Sequence, residues 1–90
     1  MEIEFDPYKR VMTLAERGLD MARAGEIFEQ NHITYPDDRA DYGEPRSITV
    51  GYLDGRMVVV VWTQRKEVIR IISLRKANDR EQAKHKIQLD

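Results

Sequence analysis

Four consecutive valines, Val58 to Val61, stand just beyond an Asp54-Gly55 pair, and this arrangement constrains the fold more than any other part of the chain. Asp-Gly between two apolar stretches signals a two-residue type I′ hairpin, because both central residues of that turn need φ > 0. β-Branched side chains lose rotamer freedom in a helix and pack well on a pleated surface. The run from Met57 to Arg65 is therefore read as a strand. Its apolar residues occupy both parities, which predicts a central strand buried on both faces. Before the turn, Arg46 to Leu53 alternates Ile48, Val50 and Tyr52 with Ser47, Thr49 and Gly51; after it, Val68 to Arg75 supplies a third strand. The second half of the chain thus reads as an antiparallel meander.

The first half reads as helical. Ile3-Glu4-Phe5 is a short edge strand, and Asp6-Pro7 starts a helix, with Asp as N-cap and Pro at the first helical position. Tyr8, Val11, Met12 and Ala15 form one apolar stripe at helical spacing, and Gly18 ends the helix. Asp20 caps a second helix with Met21, Ala24, Ile27 and Phe28 as its apolar face, so the two form a hairpin. Ile33-Thr34-Tyr35 reads as a brief strand. Pro36 to Gly43 is an acidic loop, of a length that in a small domain is often functional or mobile. Asn78 with Glu81 opens a last helix, to about Leu89, that is highly charged and short of apolar residues and should dock weakly. The predicted fold is α+β, one domain over residues 1–90: an antiparallel β-meander of about three to four strands packed against an N-terminal helical hairpin, with a C-terminal helix.

Composition narrows the function classes. A hydrophobic fraction of 41% is a globular proportion, not a disordered one. With no cysteine there is neither a disulfide frame nor a thiolate zinc site. The acidic start, Met1-Glu2-Ile3-Glu4, carries no signal-peptide apolar region, and the longest apolar run, Met57 to Trp62, is too short to span a bilayer. A cytoplasmic location is expected, with no membrane partner. His32 has no second histidine at metal spacing, and there is no Gly-rich phosphate loop or Ser-x-Gly elbow, so no metal site and no cofactor are expected. The net charge of −1 conceals an asymmetry: residues 1–45 hold eleven acids and five bases, residues 46–90 five acids and ten bases. The basic half is suited to a polyanion; the competing reading is two charge-complementary halves of one domain.

Registering the strands sorts those bases. Pairing Leu53 with Arg56 across the Asp54-Gly55 turn sets Arg46 opposite Thr63 and Glu44 opposite Arg65. With Lys66 and Glu67 at the tip of the next turn, Arg70 joins Arg46 and Thr63 in one row. Strict alternation then puts Ile48, Val50, Val59, Val61, Ile72 and Leu74 on the face of Glu44, Arg46, Thr63, Arg65 and Arg70. The opposite face takes Val58, Val60, Trp62, Ile69 and Ile71, with Ser73, Arg75 and Arg56 at its far end. Two arginine groups result, and either face is apolar enough for the helices to cover. A guanidinium fork binds phosphate bidentately and stays charged at any physiological pH. The competing reading pairs these arginines with Glu44 and the acids of the early chain.

Several segments, in order, resemble a known family. Val58-Val59-Val60-Val61-Trp62-Thr63-Gln64-Arg65, then Arg70-Ile71-Ile72-Ser73-Leu74-Arg75-Lys76-Ala77, then Arg80-Glu81 is similar to the signature of BrnT-type toxins. Glu4-Phe5-Asp6-Pro7 with Lys9, Gly18-Leu19-Asp20-Met21 with Ala24 and Phe28, and Glu44 with Arg46 and Gly51 agree in order and spacing. The resemblance covers about residues 2–85 and implies a RelE-like fold and a ribonuclease toxin of a bacterial type II toxin–antitoxin system. It also implies Lys9 as a substrate contact. The chain departs from the family pattern at Phe5, at Glu16-Arg17, at Gln64, at Leu74 and at His85.

Metal-independent RNA cleavage needs a base to take the proton of the 2′-OH, an acid for the leaving 5′-oxygen, and cations for the dianionic phosphorane. Arg46, Arg65, Arg70, Arg75, Lys76 and Arg80 supply the cations. Glu44 and His85 are the proton-transfer candidates; the alternatives are a salt bridge for Glu44 and an exposed helix histidine for His85. Trp62, Tyr52 and Tyr35 are candidates for stacking a base, against core or rim packing. The leading expectation is an endoribonuclease toxin acting on RNA. Its partner is a cognate DNA-binding antitoxin, through which alone it meets DNA. The departures at Gln64 and His85 support an alternative, a toxin-like module that only binds its antitoxin. A DNA-binding regulator is disfavoured, since no recognition helix with clustered bases is present.

Overall fold

The valine run becomes β4 (Arg56–Arg65), the middle strand of a five-stranded sheet. The computed structural model describes residues 1–90 and joins β4 to β3 (Ser47–Leu53) through Asp54 and Gly55, both at positive φ, 53° and 73°. β5 (Val68–Lys76) pairs antiparallel on the other side of β4, and β2 (Ile33–Pro36) pairs antiparallel with β3. β1 (Glu2–Glu4) is the second edge and runs parallel to β5. The α+β class holds, but the sheet is mixed and larger than the expected meander of three to four strands.

The predicted register holds from Leu53↔Arg56 to Ser47↔Trp62, and across the next turn from Arg65↔Val68 to Trp62↔Ile71. There it breaks. Val61 pairs with Ser73 rather than Ile72, so Ile72 is one residue too many in β5. A bulge of this kind reverses the parity of everything beyond it. Leu74 comes opposite Val60 and Arg75 opposite Val59. The expected grouping of Arg75 with Arg56 is therefore wrong: Arg75 shares the face of Arg46, Arg65 and Arg70.

The helices decide which face is which. α1 (Pro7–Arg17) begins as expected, with Asp6 accepting from the Tyr8 amide at 2.9 Å, and ends at Gly18, whose φ of 69° suits glycine. The expected second helix is broken into a 3₁₀ turn (Met21–Arg23) and a single α-turn, α2 (Gly25–Phe28). Gly25, a poor helix former, stands at the break. The apolar spacing still works: Met21, Ala24 and Ile27 are buried with Val58, Val60, Ile71 and Leu74 in one core. Full burial of an aliphatic side chain of this size contributes about 1.5–3 kcal/mol. Gly51 permits the approach, since a Cβ there would stand 2.8 Å from Ile27 Cγ2.

α1 itself does not bury its apolar stripe. Tyr8 and Val11 are 73% and 63% exposed, and Thr13 is the one buried residue of the helix. Polar links hold it instead. Arg10 makes two bonds to Asp20 at 2.8 and 3.0 Å, Arg17 donates to the Leu74 carbonyl at 2.9 Å, and Lys9 donates to the Ile72 carbonyl at 3.4 Å. β1 pairs only with residues 68–70 of β5, so the later carbonyls would form an open edge; the cations of α1 close it.

The second face carries a smaller core of Ile48, Val50, Met57, Val59, Val61, Ala77 and Leu89. α3 (Asp79–Leu89) lies on it, started by a reciprocal capping box between Asn78 and Glu81. Its only buried residues are His85 and Leu89, which fits the thin apolar face expected of it. Its ties fall on Arg75, Tyr35 and, through Asp90, Tyr52. The next row of this face, at Thr63, is flanked by arginine side chains.

Candidate phosphate-binding site

Thr63 is the centre of that row. It pairs with Arg70 across β4–β5, and its hydroxyl donates to the Pro45 carbonyl at 2.7 Å, which fixes the segment entering β3. Arg46 therefore lands on the other side of Thr63 from Arg70, as the registered strands predict. Glu44 lies between two guanidiniums, 3.5 Å from Arg46 Nε and 3.4 Å from Arg65 Nη2. Arg70 stands 3.6 Å from Glu4, brought in by the parallel pairing of β1 with β5. The Arg46 guanidinium also sits over the Tyr42 ring at 4.1 Å.

These pairings are long. Good N–H···O bonds fall near 2.7–3.2 Å, and a close charge-assisted pair is shorter still. Three guanidiniums share two carboxylates here, so the row keeps a positive excess and most of its donors. Arg65 is 52% exposed, while Arg46 and Arg70 are half-buried. The arrangement can therefore take an anion with little rearrangement.

Arg75 is held differently. It grips Glu81 with two bonds at 2.7 and 2.8 Å, and Glu81 also accepts from the Asn78 amide. The Arg75 hydrogen bonds hold the Glu81 carboxyl down at about 2, against the opposing effect of burial. Arg75 thus fastens α3 to the sheet and has no free fork for a substrate phosphate. The other expected contacts scatter. Lys9 lies at the β5 edge, where it reaches the Ile72 carbonyl at 3.4 Å. Lys76 points to the opposite face, opposite Val58, and Arg80 is on the exposed first turn of α3.

His85 is not the exposed helix histidine of the alternative reading. It is only 5% exposed, stacked on Tyr35 with ring centroids 6.3 Å apart, and its Nδ1 has no partner. It is neither an exposed helix residue nor part of the arginine row. Of the aromatic candidates, Trp62 lies on the helix-hairpin face, bonded to Thr49 Oγ1 at 2.8 Å, and Tyr52 bonds Asp90. Tyr35 and Tyr52 both share the arginine face, and Tyr35 is the more open, at 36% exposed. Glu4 and Tyr42 were missed as members of the row. Extending the β3 alternation upstream from Arg46 and Glu44 reaches Tyr42; nothing in the sequence announces which strand β1 will join.

No three His, Asp or Glu side chains gather as a metal site, and no helix is long and apolar enough to cross a membrane. The model of a family described as "Ribonuclease toxin, BrnT, of type II toxin-antitoxin system" matches residues 5–81. The chain belongs to the BrnT toxin family. The BrnT match spans Glu44, Arg46, Arg65, Arg70, Arg75 and Glu81 and ends before His85. No curated protein matches the chain. Membership in a type II toxin–antitoxin family brings with it an antitoxin partner and an RNA target.

Proposed function

We propose that this BrnT-family chain cleaves RNA without a metal, by attack of the substrate's own 2′-OH on the adjacent phosphorus. The carrying observation is the row of Arg46, Arg65 and Arg70, each in contact with a carboxylate only at 3.4–3.6 Å. An entering phosphate displaces weak pairings there and gains charge-assisted ones, which strengthen as the phosphorane takes on its second negative charge. Glu44, shared by Arg46 and Arg65, is the carboxylate placed to take the 2′-OH proton. Inhibition by a cognate DNA-binding antitoxin, and contact with DNA only through that complex, complete the reading, as does action in the cytoplasm.

One observation favours a second reading. His85, the histidine proposed for proton transfer, is buried against Tyr35 and stands outside the arginine row. A member that lacks cleavage and only binds its antitoxin would look like this. Induced expression without antitoxin separates the two. Growth arrest that Arg65→Ala or Arg70→Ala abolishes, in protein that still folds, supports the ribonuclease. A harmless wild type whose purified protein leaves RNA intact supports the binding module.

A further inference from the structure

An open cleft of about 370 Å³ adjoins the arginine row on the same face of the sheet. Its floor is Ile48, Val59 and Val61, and its walls include Tyr35, Arg75 and Glu81. Val61 and Ile48 each stand two residues along their strands from Thr63 and Arg46, about 7 Å at strand spacing. The Asp37 amide, on the cleft wall, donates to the Arg46 carbonyl at 2.9 Å, so cleft and row are one framework. We infer that this cleft is a nucleobase subsite, taking the base of a nucleotide next to the phosphate held by Arg46 and Arg70, stacked on Tyr35. The inference rests on the RNA reading above and adds where the base goes.

Three features support a base over other occupants. Tyr35 is 36% exposed, and its other side is backed by the buried His85 ring, so it is a fixed platform. The floor is aliphatic. Most charged groups of the wall are already engaged with one another: Asp37, its side chain fully buried, binds Arg39 twice at 2.7 Å, and Glu81 binds Arg75, which leaves Asp38 at the rim. Stacking on an aromatic face tolerates any base, and it carries the recognition here. A purine, with the larger ring system, stacks better than a pyrimidine.

The test is anisotropy binding of the full chain to short 2′-O-methyl oligonucleotides, which lack the attacking hydroxyl. Tyr35→Leu keeps apolar packing against His85 and removes the aromatic face. It is expected to weaken binding about tenfold, and Tyr35→Phe to leave it unchanged. Scanning one abasic residue along the oligonucleotide should find a position that costs the wild type a similar factor and costs Tyr35→Leu nothing further. Binding that Arg70→Ala abolishes but Tyr35→Leu leaves intact overturns the subsite while sparing the phosphate reading. Absence of binding by the wild type overturns both.

Discussion

Arginines on the two sides of this molecule are held in different ways. In the helical hairpin, Arg10 binds Asp20 at 2.8 and 3.0 Å, and Arg23 binds Glu26 and Asp54 with four bonds of 2.7–2.9 Å. In the open row, Arg46, Arg65 and Arg70 share Glu44 and Glu4 at 3.4–3.6 Å. Both sets look alike as charge counts. The difference is donor geometry: a bidentate pair has used its fork, and a long shared contact has not. The excess of bases in the second half of the chain is thus not one surface but a mixture. Arg75 belongs with the tight set although it lies on the face of the loose one.

That contrast can be broken or sharpened by substitution. The largest effect expected is on catalysis: Glu44→Gln keeps the shape of the row and removes the base, and should slow cleavage by about 10²–10⁴-fold with RNA binding retained. Unchanged cleavage would remove Glu44 from the chemistry. On the covered side, Gly51→Ala drives a methyl into Ile27, which is fully buried, and should destabilise by about 1–3 kcal/mol in denaturant titration. The same methyl leaves the arginine row untouched, so cleavage per folded molecule should not change.

Acid should weaken the tight set. The Glu81 carboxyl is held at about 2 in the folded chain against an ordinary 4.5. Its pairing therefore stabilises above pH 4.5, and that contribution is lost as pH falls from there toward 2. Asp20 and Asp37, each also at about 2, follow the same sign. Glu81→Gln should lower stability at neutral pH and make its decline between pH 4.5 and 2 shallower, followed by circular dichroism. An equally steep decline would show that Arg75 and Glu81 do not fasten α3. The smallest effect belongs to Arg23→Ala, whose exposed pairs should yield a slight fall in Tm and no loss of cleavage.

Much of the sheet was legible because its signals are local. Asp54-Gly55 dictates one turn, whose register carried one residue past Ser47↔Trp62 sets Arg46 beside Thr63, and the turn at Lys66 and Glu67 pairs Arg70 with it. The bulge at Ile72 was not, because a β-branched residue in a β-branched run gives no sign of being unpaired. The one trace is the spacing of buried Ile71 and Leu74, three apart where strict alternation gives two. The α1 stripe misleads for another reason: helical spacing reports that Tyr8, Val11 and Met12 share a face, and cannot report that Arg10, Thr13 and Arg17 provide the inward one. His85 is hidden by its own surroundings, since its partner Tyr35 lies fifty residues away on a strand of four residues. Of the site, the arginines of the row were readable; the sorting of Arg75 away from them depends on Glu81, which sequence shows only as a helix cap.

The central claim is that the loosely held row, and not the tightly paired arginines, stabilises the phosphate during cleavage by the 2′-OH. It is tested most directly by incubating purified wild type, Arg70→Ala and Arg23→Ala with an RNA oligonucleotide in chelator and determining rates and product ends. Wild type and Arg23→Ala should cut at matching rates and leave 2′,3′-cyclic phosphate and 5′-hydroxyl ends, with Arg70→Ala slower by about 10²-fold or more. Equal rates for Arg70→Ala and wild type, or 5′-phosphate ends, would contradict it.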